Sequence, residues 1–259
     1  MRFVTLFDNR FVNVAKNIGN NQINVDGDHL SILEIKNNHP KLLENSFSFS
    51  SVNPDFVKKR INKINVKKAT GIDGISPKLL HFAKPIIVKP LTDIVNLSIS
   101  TSTFPDHLKE AQVAPIHKKN SVLKKGNYRP VSVLPAISKN FENAIEAQLV
   151  NYFENIFNPF LAAFRSGFGC QSTLLRVIED WKHALDKNEY LAAILMDLSK
   201  AFDCLPHDLL LLKLNAYGLS KSSLDLLYSY LTNRKQCVKL NQNPSNMLPI
   251  FKGSILGLI

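Results

Sequence analysis

The sequence predicts an α+β fold, rich in helix and carrying short antiparallel strands. Helical stripes are the first observation. Phe141, Ile145, Leu149 and Phe153 recur at four-residue steps, and Leu174, Leu175, Ile178, Trp181 and Leu185 form another apolar face. The second observation is a strand at 112–119, a turn at Gly126-Asn127 and a further strand within 124–135, the pattern of a hairpin. At 259 residues and 45% hydrophobic content, the chain can bury a sizeable core around such elements.

Taken in order, Phe3, Phe7, Phe11 and Val14 suggest a short amphipathic helix, followed by an Asn-rich loop over 17–28. A mixed segment at 30–43 is cut by Pro40, and the alternation of 47–52 reads as a short strand. Asn53 and Pro54 are an N-cap and first-turn pair opening a helix with Phe56, Val57, Ile61 and Ile64 on its apolar face. Its Lys58, Lys59, Arg60 and Lys63 are equally a solvated face or a phosphate-binding one. The stretch 67–80 is a basic loop, with Lys67 and Lys68 before Gly71 and Gly74, leading to a second cap pair, Ser76-Pro77. Helical character continues over 79–100, divided by Pro85 and Pro90. Helices follow at 138–155 and 170–185, the latter after a loop holding Phe164, Arg165 and Gly167. The stripe of the second makes Trp181 a core residue rather than a base-stacking platform.

The apolar run 191–196 ends on Asp197, with a second carboxylate at Asp203 and a helix opened by Pro206. A run of this length is a short buried strand or a piece of core helix. The helical pattern behind Pro206 favours strand, turn, helix. Asp197 is then a turn or cap residue, or a hard-metal ligand at a strand end. A helix at 222–231 capped by Ser220, a strand from 234, a loop at 241–246 and a return strand to 250 complete the order.

Formal net charge is +11 and the isoelectric point about 9.5, an excess that suits a polyanionic partner. Cys170, Cys204 and Cys237 lie far apart, with no C-x-x-C pair, so neither a zinc ribbon nor a disulfide framework is indicated. A reducing, intracellular setting is expected. No apolar run approaches the roughly 20 residues of a membrane span, and the start lacks a signal peptide's apolar centre.

The hairpin carries a candidate phosphate clamp. Its spacing places Lys118 and Arg129 on neighbouring strands, where both could reach one triphosphate. The plain alternative is a surface lysine and an arginine paired with a nearby acid.

Several motifs in order now point one way. K-x-x-G-x-D-G-I at 68–75, P-I-H-K-K at 115–119, N-Y-R-P-V-S at 127–132, F-R-S-G at 164–167 and D-L-S-K-A-F-D at 197–203 resemble the reverse transcriptases of non-LTR (LINE-type, jockey-like) retrotransposons. The resemblance covers about residue 50 to the end. It implies residues 1–50 as an extension, 51–189 as fingers and part of the palm, and 190–259 as a partial palm. It implies RNA-templated DNA synthesis from dNTPs with magnesium, on an RNA template and a DNA primer.

In that family Asp197 matches the aspartate that binds the catalytic magnesium, and Phe202 the steric gate against ribonucleotides. Lys118 and Arg129 match the residues that hold the incoming dNTP. Lys67, Lys68 and Arg165 fall in regions that touch template or primer. The end of the chain resembles the second palm motif, where Gly253 and Ser254 match and Phe251 and Lys252 replace the usual Pro and Gln. The family's Y/F-A-D-D hairpin has no counterpart, since no Asp-Asp pair occurs in the 259 residues. Two-metal phosphoryl transfer needs such carboxylates on both ions. A fragment that does not polymerise alone is therefore expected, and a non-catalytic nucleic-acid-binding relic of a retroelement is the second reading.

Overall fold

The computed structural model describes residues 29–38, 47–197, 205–240 and 243–250. The expected helix at 3–14 lies outside them, as do Phe202, Asp203, Gly253 and Ser254. The chain divides into two compact units, one comprising Met1–Gln148 with Ala201–Leu258, the other Leu149–Lys200 with Ile259.

The first unit is α+β. Helix α1 spans Leu30–Asn38, α2 Pro54–Lys63, α3 Pro77–Phe82 and α4 Lys84–Thr101. The cap residues act as their chemistry dictates. Asn53 accepts from the Phe56 N–H and Ser76 from the Leu79 N–H, each with proline in the first turn. Pro85 opens α4, and Pro90 lies inside it. Strand β1 (Glu110–His117) and strand β2 (Tyr128–Val133) form the expected hairpin, antiparallel from Gln112 opposite Val133 to His117 opposite Tyr128. Helix α5 (Ser138–Phe153) starts in this unit.

Three helices and three strands follow, and α6 (Cys170–Asp186) belongs to the second unit. Helix α7 covers His207–Ala216 and α8 Lys221–Leu231, capped by Ser220 accepting from the Ser223 N–H. Then come β3 (Arg234–Leu240), β4 (Asn243–Pro244) and β5 (Leu248–Ile250). The five-stranded sheet runs β2-β1-β3-β4, with β5 also pairing β3. The β1–β3 pair is parallel, Glu110 opposite Lys235. Joining these two strands in parallel takes the long connection the intervening helices provide.

Burial explains the arrangement. Phe104 sits edge-on to both Phe141 (5.6 Å) and Tyr230 (4.9 Å), tying α5 and α8 to the segment before β1. Val113 and Val238, both wholly buried, join β1 to β3, with Tyr128 and Leu240 packed against them. Ile32, Ile35 and Ala216 hold α1 on α7.

Three expectations are corrected. Residues 47–52 form no strand beyond a single bridge from Phe47 to Leu219. Side chains take the place of a neighbouring strand. The N–H groups of Phe49, Ser50 and Val52 donate to Ser223 Oγ, Gln148 Oε1 and Asn96 Oδ1 at 3.1, 2.8 and 2.8 Å. The run 191–196 is neither strand nor helix and is exposed, Leu195 at 92% and Met196 at 88%. No described strand pairs with it, so its apolar side chains face solvent. The stripe of α6 is likewise uncovered: α6 has no buried residue, and Trp181 is 40% exposed rather than core.

Candidate functional site

The hairpin is anchored at its base by Val113 and stands clear at its tip, where Ile116 to Asn120 are all exposed. The tip is held by its own bonds. Lys118 N–H donates to Asn127 O at 2.8 Å, Asn127 Nδ2 to Ser121 O at 2.7 Å, and Tyr128 Oη to Val122 O at 2.9 Å. His117, given no role from sequence, hydrogen-bonds the Asn120 carbonyl at 2.9 Å and lies 5.2 Å from the Tyr128 ring. Asn120 takes a left-handed φ of 65°, which asparagine tolerates.

Register brings the two predicted phosphate ligands together. Arg129 is opposite Ile116, and Lys118 is two residues beyond Ile116, one past the end of β1. Residues two apart share a face, so Lys118 and Arg129 are diagonal neighbours on one side of the ribbon, roughly 7–8 Å apart at the backbone. Both are exposed, and neither has an acidic partner among the described residues. Among the described residues the alternative of an arginine paired with a nearby acid finds no acid. Lys124 is exposed and Lys125 half-buried in the connecting segment, adding to the positive charge.

A second basic region belongs to the same unit. The loop with Lys67 and Lys68 turns at Gly71, where a Cβ would stand 2.8 Å from both Pro135 Cα and Pro135 N. The loop backbone therefore rests on the segment entering α5. Asp73 is a turn carboxylate, accepting from the Ile75 N–H at 3.2 Å, and Gly74 has φ of +71°. Lys139, in the first turn of α5, has its amine held below the usual lysine range by burial and then by the charge of Lys68.

Behind it is a buried polar group that sequence reasoning missed. Glu142 accepts from Tyr230 Oη at 3.2 Å and from Ser138 Oγ at 3.3 Å. Burial raises its carboxyl above the ordinary value of 4.5, against the pull of Arg234. Arg234 donates to the Tyr230 carbonyl at 2.8 Å and lies 4.6 Å over the Tyr230 ring. Burial also lowers its guanidinium and raises the Tyr230 phenol. A signal was available in the sequence. Arg234 shares a strand face with Gln236 and Val238, and Glu142 follows core Phe141.

In the second unit Arg165 is engaged internally. It pairs with Glu154 at 3.2 Å, donates to the Leu161 carbonyl at 3.3 Å and lies 4.5 Å over Phe168. A phosphate at Arg165 would have to compete with Glu154. Asp197 is exposed at the end of the apolar run. One exposed carboxylate supplies a single hard-oxygen ligand of the kind magnesium takes. Among the described residues no group of three His, Cys, Asp or Glu could hold a metal ion, so the fit is to one arm of a site. No described helix is long and apolar enough to cross a membrane.

Residues 116–259 match the family model described as reverse transcriptase (RNA-dependent DNA polymerase). The chain is 31% identical to a probable RNA-directed DNA polymerase from transposon X-element of Drosophila melanogaster, over 73% of this chain and 22% of that protein. It is 30% identical to the RNA-directed DNA polymerase from mobile element jockey of the same species, over 82% of this chain and 24% of the relative. The corresponding probable polymerase from transposon BS is 26% identical over 83% and 24%. The chain thus spans less than a quarter of the length of each of these relatives.

Proposed function

Because the chain belongs to the reverse transcriptase family, in its non-LTR retrotransposon branch, we propose that it supplies the fingers and opening palm of an RNA-directed DNA polymerase. Its substrates on this reading are an RNA template, a DNA primer and dNTPs. The observation that carries it is the shared face of Lys118 and Arg129, two exposed cations on the hairpin without acidic partners among the described residues. A triphosphate laid along that face gains charge-assisted hydrogen bonds from a planar fork and a mobile ammonium. Lys67, Lys68, Arg165, Gly253 and Ser254 are proposed contacts of the nucleic acid, and Phe202 of the dNTP sugar.

The family is generally metal-dependent, and Asp197 is proposed as one magnesium ligand. The chemistry a bound magnesium supplies is neutralisation of charge on the transferring phosphate and on the attacking and leaving oxygens. This chain's own residues hold the triphosphate and the strands. The relatives are polymerases by name, which does not favour the non-catalytic relic. An intracellular location, cytoplasm or nucleus, follows from this reading and is checked by imaging a tagged chain.

The 259 residues offer no Asp-Asp pair for a second metal. The chain is therefore expected to bind an RNA–DNA hybrid with steep salt dependence and not to extend oligo(dT) on poly(rA). Extension above background overturns the second expectation. No binding of the hybrid at low salt overturns the polymerase reading itself.

A further inference from the structure

Five of the chain's 16 phenylalanines fall within residues 153–168, in the second unit. Two arginines lie over these rings, Arg165 over Phe157 and Phe168, and Arg176 over Phe160 at 4.2 Å. The first group is closed, because Arg165 is paired with Glu154 and its side chain is largely buried. The Phe160–Arg176 pair is open. Arg176, on α6, donates to the Pro159 carbonyl at 3.3 Å, and the Phe160 N–H donates to Asn158 Oδ1 at 2.9 Å, so both planes are held in place. The guanidinium covers one face of the ring, yet Phe160 is 70% exposed, which leaves its other face to solvent. Arg176 has no acidic partner among the described residues.

We propose that Phe160, backed by Arg176, is a stacking platform for one unpaired base of the single-stranded template. This rests on the polymerase reading and adds to it a contact made to a base rather than to a phosphate. Both residues lie outside F-R-S-G at 164–167, the motif that carries the family resemblance in this stretch. A base offers a flat π face to the open side of the ring, and a guanidinium on the far side adds its own cation–π attraction. Charge argues against a phosphate here. Residues 149–200 hold five lysines and arginines against six aspartates and glutamates, so this unit has no positive excess for a polyanionic backbone. Bases inside a hybrid are covered by their neighbours, so the ligand is an unpaired stretch of strand.

The test uses the full chain and three fluorescein-labelled RNA–DNA hybrids, titrated at several salt concentrations. One is blunt, one carries a single-stranded RNA overhang, and one carries an overhang of equal length whose sugars lack bases. The parent is compared with Phe160→Ala, Phe160→Trp and Arg176→Lys. The parent is expected to bind the natural overhang more tightly than the blunt hybrid, by about five- to 150-fold, the range for one base–aromatic stack. Phe160→Ala is expected to lose that advantage and Phe160→Trp to keep it. Arg176→Lys keeps the charge but not the plane over Phe160, and is expected to lose part of it. The log–log salt slope is expected to be the same in the parent and Phe160→Ala, because no phosphate contact is removed. If the baseless overhang binds as tightly as the natural one, the strand is held by its phosphates and the proposal is overturned. Melting is measured alongside. If Phe160→Ala melts lower and weakens blunt and overhang hybrids alike, the ring only supports the fold, which also overturns it. If the parent binds blunt and overhang hybrids equally, only this inference falls. If the parent binds neither, the polymerase reading falls with it.

Discussion

The Tyr230 hydroxyl donates to the Glu142 carboxylate across 3.2 Å, and both side chains are buried where α8, α5 and β3 converge. Burial, the largest influence on Glu142, lifts its carboxyl above 4.5. Between that ordinary value and the raised folded one, the folded state keeps a proton the unfolded chain has lost. Stability then falls as pH rises through this window and levels off above the folded value. Glu142→Gln removes the titration. Urea denaturation from pH ~4 to ~8, a range that brackets an ordinary and a raised carboxyl, is expected to show the parent losing stability relative to that variant as pH rises.

Tyr230→Phe separates the hydrogen bond from the ring. The hydroxyl favours the charged form of Glu142 and so opposes the effect of burial. Its loss moves the folded carboxyl value higher and extends the falling window to higher pH. At neutral pH the variant is expected to lose about 1–3 kcal/mol, the range for stranding a buried acceptor. An unchanged pH profile would show that the 3.2 Å bond does not couple the two groups.

Two glycines in one loop should respond differently. Gly71→Ala drives a Cβ into the backbone of Pro135 and Leu134, which cannot rotate aside as a side-chain tip can. A loss of about 1–3 kcal/mol is expected, as for overpacking. Gly74→Ala meets nothing, but φ there is +71°. Its cost is backbone strain alone, about 1–2 kcal/mol. Only Gly71→Ala is expected also to weaken hybrid binding, because it displaces Lys68.

Much of the fold was legible because its determinants are local. The caps at Asn53, Ser76 and Ser220 and the turn before Tyr128 act within a few residues, and each element starts where they say. What could not be read depends on distant partners. Alternation at 47–52 suggested a strand, yet its bonds go to Gln148 and Asn96 side chains, 98 and 44 residues away. The stripe of α6 and the run to Met196 are apolar enough for a core, but hydrophobicity does not say which surface covers them. Of the candidate site, the Lys118–Arg129 pair emerged from spacing. The buried Glu142–Tyr230 bond did not, because it joins residues 88 positions apart.

The hairpin pair should act on nucleotide rather than on strand. On the proposed function, Lys118→Ala and Arg129→Ala would each remove one charge-assisted contact to a triphosphate, worth about 1.5–3 kcal/mol. Roughly tenfold or greater loss of dNTP affinity is expected for each. Fluorescent dNTP titration with template–primer present measures it. Less loss for the double variant than the sum of the two would show that both contact one phosphate group. Folding is not expected to suffer, since both side chains are exposed.

The run ending at Asp197 makes the last prediction. Tyr190, Ile194, Leu195 and Met196 are each at least 86% exposed, and no described strand satisfies the backbone beside them. An uncharged, β-prone segment of this kind is a template for pairing between chains. Ile194→Lys places a charge in the segment without disturbing any buried contact. It is expected to raise the concentration at which light scattering appears while leaving the melting temperature within about 1 °C, since surface changes of this kind alter stability by under ~0.5 kcal/mol. Leu226→Ala provides the contrast. That side chain is 1% exposed in α8, and its truncation should cost about 2–5 kcal/mol and lower the melting temperature. If Ile194→Lys instead unfolds the chain, the segment is packed in solution and the exposure of 191–196 is not its resting state.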